Sequence, residues 1–115
     1  MSIKITIVPV TAYQQNCSVL KCEDSGKAAI VDPGGDTERI LAAVDQLGGE
    51  VEKIILTHGH MDHCAAAGAL RQQLAVPIEG PHEADRFWID KLPEWCRIAN
   101  FPVAEALVPD RWLLA

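Results

Sequence analysis

Ile54-Ile55-Leu56-Thr57-His58-Gly59-His60-Met61-Asp62-His63 is the stretch that decides how this chain is read. Ile54-Ile55-Leu56 is a short apolar run of the kind found in a buried strand. It leads without a spacer into three histidines and an aspartate within six residues. Zinc takes neutral imidazole nitrogens and carboxylate oxygens, and a catalytic site keeps one position for water. In an extended segment residues two apart point to the same side, so His58 and His60 are placed to converge on one ion. Asp62 and His63 follow where the chain turns into a helix, which places them at a neighbouring position for a second ion. Gly59 lets the backbone between the first two histidines take a tight path. A single histidine is usually an ordinary core or surface residue, but four donors in six residues at a strand end do not fit that description. Structural zinc sites lean on cysteine and close all four positions, whereas this set is rich in histidine and carboxylate, which favours an open, hydrolytic site. An ion there would lower the pKa of its water to roughly 7. Asp62 is the residue to orient that nucleophile or accept its proton, the catalytic role in this reading.

Immediately upstream, Val31-Asp32-Pro33-Gly34-Gly35 closes another strand with a cluster that cannot continue a sheet. Asp32 has two readings of equal weight. It hydrogen-bonds a ligand histidine from behind, or it initiates a turn and caps a helix. Thr57 is placed to bond the histidine loop, although threonine is common at strand ends. His82, isolated in Pro81-His82-Glu83, reads as a helix-entry residue and is left out of the ligand set. Cys64 reads as a small buried filler, since free cysteine is among the most buried residue types. Trp88, Trp95 and Trp112 pack a core or line a cleft.

Further outward, Ile3 to Val10 alternates Ile3, Ile5 and Ile7 against Lys4, Thr6 and Val8, the period of a half-buried strand. Cys17 to Cys22 reads as a second strand, and a turn at Asp24-Ser25-Gly26-Lys27 returns into a third at Ala28–Val31. Asp36 or Thr37 caps a helix through Ile40, Leu41, Val44 and Leu47, ended by Gly48-Gly49. After the histidine loop a helix is expected over 65–74, then a short strand at Val76-Pro77-Ile78. Residues 82–91 have helical character, and 103–112 are ambiguous. Sheet and helix alternate after residue 32, so an α/β layering follows.

With 115 residues, 49% of them apolar, the chain has the composition of one folded domain or part of a larger one. A formal charge of −6 with ten scattered basic residues offers no surface for nucleic acid. No apolar run is long enough to span a bilayer, and the first residues lack the pattern of a targeting segment. The four cysteines form no C-x-x-C pair, so free thiols and a cytoplasmic setting are expected.

The motif His58-x-His60-x-Asp62-His63 after Ile54-Ile55-Leu56-Thr57, together with Val31-Asp32-Pro33-Gly34-Gly35 and the opening hairpin with Asn16-Cys17, resembles the metallo-β-lactamase superfamily. Within it the chain is most similar to the small glyoxalase II-like (hydroxyacylglutathione hydrolase-like) hydrolases. The resemblance implies an α/β (α+β) fold, a four-layer αββα sandwich with metals at one edge of the two sheets. It implies His58 and His60 on the first metal and Asp62 and His63 on the second. The metals would be two zinc ions in the complete domain, with iron and manganese as alternatives. The substrates implied are small-molecule thioesters or esters such as S-lactoylglutathione. The motif is specific for the superfamily and weakly specific for the substrate.

In that family a further His, a bridging Asp and a last His come from the second half of the fold, whereas after His63 this chain has only His82. Residues 1–115 are therefore expected to be the N-terminal half of a metallo-β-lactamase-like domain, truncated, with one side of a sheet exposed. Self-association or pairing with a C-terminal half is the matching expectation for partners. Two other readings stand beside the hydrolase. One is an iron-dependent persulfide dioxygenase of the same superfamily, the other a non-catalytic metal-binding half-domain.

Overall fold

The computed structural model describes residues 2–101, 104 and 107–113. Six strands form one sheet in sequence order: β1 (Ile3–Val10), β2 (Gln15–Cys22), β3 (Lys27–Val31), β4 (Glu50–Ile55), β5 (Ile78–His82) and β6 (Arg111–Leu113). The first three pair antiparallel as a meander, and β3 to β6 run parallel. The change of direction coincides with α1 (Thr37–Leu47), because a parallel neighbour requires a crossover. Between β4 and β5 lie a one-turn helix α2 (Met61–Cys64) and α3 (Ala67–Leu74). A 3-10 turn at Glu83–Asp85, α4 (Arg86–Asp90) and α5 (Leu92–Ile98) follow β5.

The expected elements to residue 55 stand where the sequence puts them, with β2 starting two residues early at Gln15. The helix expected over 65–74 starts two residues late, at Ala67. Ala65 and Ala66 form a turn after α2, and the Ala66 N–H donates to the Pro33 carbonyl, which ties this turn to the β3 end. α1 ends as glycine permits: Gly48 sits at φ 78°, and its N–H bonds the Val44 carbonyl. Asp36 holds the position before α1, but its carboxylate accepts from the Thr11 N–H at 2.7 Å and does not cap the helix. The strand foreseen at 76–78 starts only at Ile78, and the ambiguous 103–112 segment contributes Arg111 and Trp112 to β6. Residues 103, 105 and 106 of that segment lie outside the described set.

The helices cover one face of the sheet. Val8, Val10, Cys17, Val19, Ile30, Ile54 and Ile78 point into that layer with Ile40, Val44 and Leu70 from the helices, all buried. The other face is open. Residues paired across strands share a face, so Ile3, Ile5 and Ile7 stand with Cys22, Leu20 and Ser18, then Val31 and Ala29, then Ile55 and Lys53. On it Ile3, Ile5 and Ile7 are 58%, 61% and 56% exposed, so the β1 alternation is real but its isoleucine side is the uncovered one. At the far end of that face Glu79 takes Lys53 at 3.3 Å and Arg111 at 3.7 Å.

Candidate metal centre

β3 and β4 run parallel and end side by side, so the turns leaving them, Asp32–Gly35 and Thr57–His60, meet at one sheet edge. Asp32 is buried and has a left-handed backbone at φ 56°, a conformation aspartate tolerates better than most residues. Its N–H bonds the Ile55 carbonyl, and its own carbonyl accepts from Gln15 Nε2 at 2.8 Å. This turn aims the carboxylate across the edge. Oδ1 accepts from Thr57 N–H at 2.7 Å, while Oδ2 accepts from Thr57 Oγ1 at 2.5 Å and lies 3.0 Å from His63 Nδ1. Of its two readings, the one behind a histidine is realised, and Thr57 joins the same network.

The partner of His63 on its other nitrogen is the candidate carboxylate. With Nδ1 against Asp32, Nε2 lies 3.6 Å from Asp62 Oδ2. Two donors each about 2.0–2.2 Å from one tetrahedral ion stand about 3.4 Å apart, so this pair has the separation of ligands on a shared ion. His58 packs against His63 with ring centroids 3.9 Å apart, and the His60 ring stands 4.7 Å from that of His58. His58 Nδ1 is buried and has no hydrogen-bond partner among the described residues. Burial, then the proximity of His63 and His60, hold the His58 imidazole below its usual pKa and so in the neutral form that binds metal. A neutral His58 imidazole with an orphaned ring nitrogen, and a carboxylate at ligand spacing from His63, fit a metal ion.

The four sequence candidates therefore share one edge, although not equally tightly. Donor atoms of Asp32, His58 and His63 lie within 4.8 Å of one another, while His60, exposed at the start of α2, turns its ring edge-on to Trp88 at 4.8 Å. Asp32 belongs to that cluster as an orienting group, because both of its oxygens already accept hydrogen bonds. His82 stays apart as expected: its Nδ1 accepts from Ala84 N–H and opens the 3-10 turn. Cys64 is fully buried, with Sγ against the His60 carbonyl at 3.3 Å and its thiol pushed far up by burial.

Two supports of the loop, Asp85 and Gln15, carry no signal in the sequence motifs, and a third, Gly34, lies within the Val31–Gly35 motif. Asp85 Oδ2 accepts the Gly59 N–H at 2.9 Å and so sets the path between His58 and His60. Gln15 is buried, and its Nε2 donates to the Asp32 carbonyl. Gly34 lies so close to the α2 backbone that a Cβ there would sit 1.7 Å from the Asp62 carbonyl oxygen. Gly59 also has a packing reason, since a Cβ would meet Trp88 and the Asp85 carbonyl at 3.0 and 3.1 Å. Beside His60 and Asp62 a recess of about 230 Å³ opens, walled by Trp88, Trp95 and Ile98.

Comparisons with known proteins agree with this arrangement. Residues 10–115 match the model of the metallo-beta-lactamase superfamily. The hydroxyacylglutathione hydrolase GloC of Haemophilus influenzae is 44% identical over 108 residues, 94% of this chain and 50% of that protein. A hydroxyacylglutathione hydrolase of Klebsiella pneumoniae is 32% identical over 69% of this chain and 32% of its own length. The chain thus spans half, or less, of these relatives. Among solved structures, the B3 metallo-beta-lactamase BLEG-1 superposes with a TM-score of 0.81 at 30% identity, covering 96% of this chain and 53% of that one. TTHA1623 in a di-iron-bound form gives 0.82 at 25% identity, covering 94% and 53%. A strand-end carboxylate behind a His/Asp loop, on a sheet with these neighbours and this match, identifies the chain as a member of the metallo-β-lactamase superfamily.

Proposed function

We propose that this chain carries the first half of the active centre of a metal-dependent hydrolase, of glyoxalase II type, acting on small-molecule thioesters such as S-lactoylglutathione. Residues 1–115 would be the N-terminal half of the domain, with His58 and His60 on one ion and Asp62 and His63 on a second. Zinc is the metal we assign. Bound there, the ions would supply Lewis acidity and ionised water at neutral pH. The observation that carries the reading is the Asp32–His63–Asp62 relay, with 3.0 Å on one side of the imidazole and 3.6 Å on the other. Asp32 holds His63 in the tautomer that leaves Nε2 free to bind, the role a carboxylate plays behind a ligand histidine. Asp62 orients the attacking water or takes its proton. The relatives named hydroxyacylglutathione hydrolase support the substrate class.

The open sheet face, with Ile3, Ile5 and Ile7, is where we place the second sheet of the sandwich, supplied by self-association or by a C-terminal half. Metal analysis and hydrolysis of S-lactoylglutathione by the whole protein test the reading together. About two zinc ions and turnover that falls by orders of magnitude in Asp62→Ala are expected. Unchanged turnover in that variant overturns the role given to Asp62. Iron is the specific second reading, because TTHA1623 was solved with two iron ions. Under it the metal analysis would return iron in place of zinc; the persulfide dioxygenase alternative, built on a single iron, would in addition consume oxygen in place of hydrolysis.

A further inference from the structure

We propose that the recess beside His60 and Asp62 receives the acyl group of the thioester, and that this group is compact and apolar, an aryl or branched aliphatic acyl. The inference rests on the hydrolase reading above and adds the part of the substrate that would set specificity.

The recess, of about 230 Å³, is lined by candidate ligands at one end and by apolar side chains elsewhere. Trp88 and Trp95 stand 5.0 Å apart at ring centroids, and Phe87, itself 54% exposed, packs on both at 5.5 and 5.6 Å, so the three rings form one aromatic cluster. Trp88 also meets the His60 ring at 4.8 Å, which makes the wall continuous with the metal loop. Ile98, the last residue of α5, is 75% exposed and lines the recess beside Trp88 and Trp95.

Because His60 and Asp62 form one end, an occupant lies within a few bonds of the reacting carbonyl. The thiol of a glutathione thioester carries charged groups that an apolar wall would have to desolvate, so that part stays outside. A three-carbon hydroxyacyl group would leave most of the volume to water. A ring or branched chain fills it, and one well-placed methylene in such a pocket changes selectivity about tenfold or more. The larger cavity, of about 600 Å³ between Thr11, Tyr13, Gly35, Arg39 and Asn100, touches none of the four candidate ligands and so cannot hold the reacting group.

The test is equilibrium binding of phenylacetate and acetate to the metal-loaded protein, followed by ligand-observed NMR. Both probes carry the same carboxylate, so their difference reports the recess. Phenylacetate should bind at least about tenfold more tightly. Ile98→Gln and Trp95→Ala should each remove most of that preference and leave acetate binding unchanged. Ile98→Gln alters an exposed side chain, so it remains informative where Trp95→Ala unfolds. Equal binding of the two probes, or a preference that survives Ile98→Gln in a folded protein, overturns the proposal. Turnover of S-phenylacetylglutathione and S-lactoylglutathione separates the two ideas. A retained preference with neither thioester cleaved overturns the hydrolase reading alone. Cleavage of both at equal kcat/KM, with no binding preference, overturns the recess assignment alone.

Discussion

At the residue scale the metal loop depends on side chains far from it in sequence. Asp85, 26 residues from Gly59, takes the one backbone N–H between the two leading histidines. Groups that orient ligands typically contribute 10- to 100-fold to metal affinity, so Asp85→Ala should weaken metal binding by roughly that factor in chelator competition. An unchanged affinity would show that packing alone holds Gly59. The cysteines divide just as sharply. Burial pushes the Cys17 thiol up to about 12 and Cys64 further still, and Cys96 is also raised by burial. Cys22, at the end of β2, is instead lowered by its hydrogen bond with Ser25. Alkylation of the native chain should therefore modify Cys22 first, with Cys17 and Cys64 reacting only on unfolding, as peptide mass mapping would show. The histidines and Asp62 were legible because the donors are adjacent in sequence. Asp85 and Gln15 were not, because a residue that reaches a site by a single hydrogen bond across the fold leaves no local pattern.

At the element scale, turns at the strand ends decide whether the centre forms. Gly34→Ala forces a Cβ into the Asp62 carbonyl, a backbone group that cannot swing aside, and against Gln15 Nε2 at 2.9 Å. Overpacking of this kind costs about 1–3 kcal/mol, and chemical denaturation should show that loss together with weaker metal binding. The β5–β6 junction is pinned by Asp110. Its Oδ2 accepts the Ile78 N–H at 2.8 Å and Arg71 Nη1 at 3.3 Å, and its N–H bonds back to the Ile78 carbonyl. The Ile78 hydrogen bond is the main reason its carboxyl lies below the ordinary range. A depressed carboxyl stabilises the fold above its unfolded pKa near 3.8, and that contribution is lost as pH falls through the lower folded value. Asp110→Asn should accordingly flatten the stability curve below about pH 4 in acid titrations, with little change in its slope near neutrality. Helix α1 and the strands were readable from period and glycine stops. The break between α2 and α3 was not, because it is made by the Ala66 hydrogen bond to Pro33.

For the molecule as a whole, one sheet with helices on a single side leaves an apolar face to solvent. Ile3, Ile5 and Ile7 form a row on it next to Leu20, Val31 and Ile55. Contiguous exposed apolar surface of this kind marks an interaction face. The 115-residue chain should self-associate with rising concentration in sedimentation velocity, and Ile5→Lys should shift it toward monomer. Ile5 is 61% exposed in the chain, so its replacement should leave the melting temperature of the monomer little changed. A monomer at all concentrations would count against the open face as the joining surface. Among the described residues no helix is long and apolar enough to cross a membrane.

The residue order alone carries the donor types, their density in the loop 58–63, the strand before it and the family resemblance, since each is a local pattern along the chain. Which side of β1 is covered, which reading of Asp32 holds and how tightly His60 joins the other histidines depend on where β3, β4 and α4 come to rest. These are outcomes of long-range packing, and alternation has no sign until another layer covers one face. The motif announces the candidate ligands. The fold supplies the hydrogen bonds of Asp32, Asp85 and Gln15 that orient or brace them.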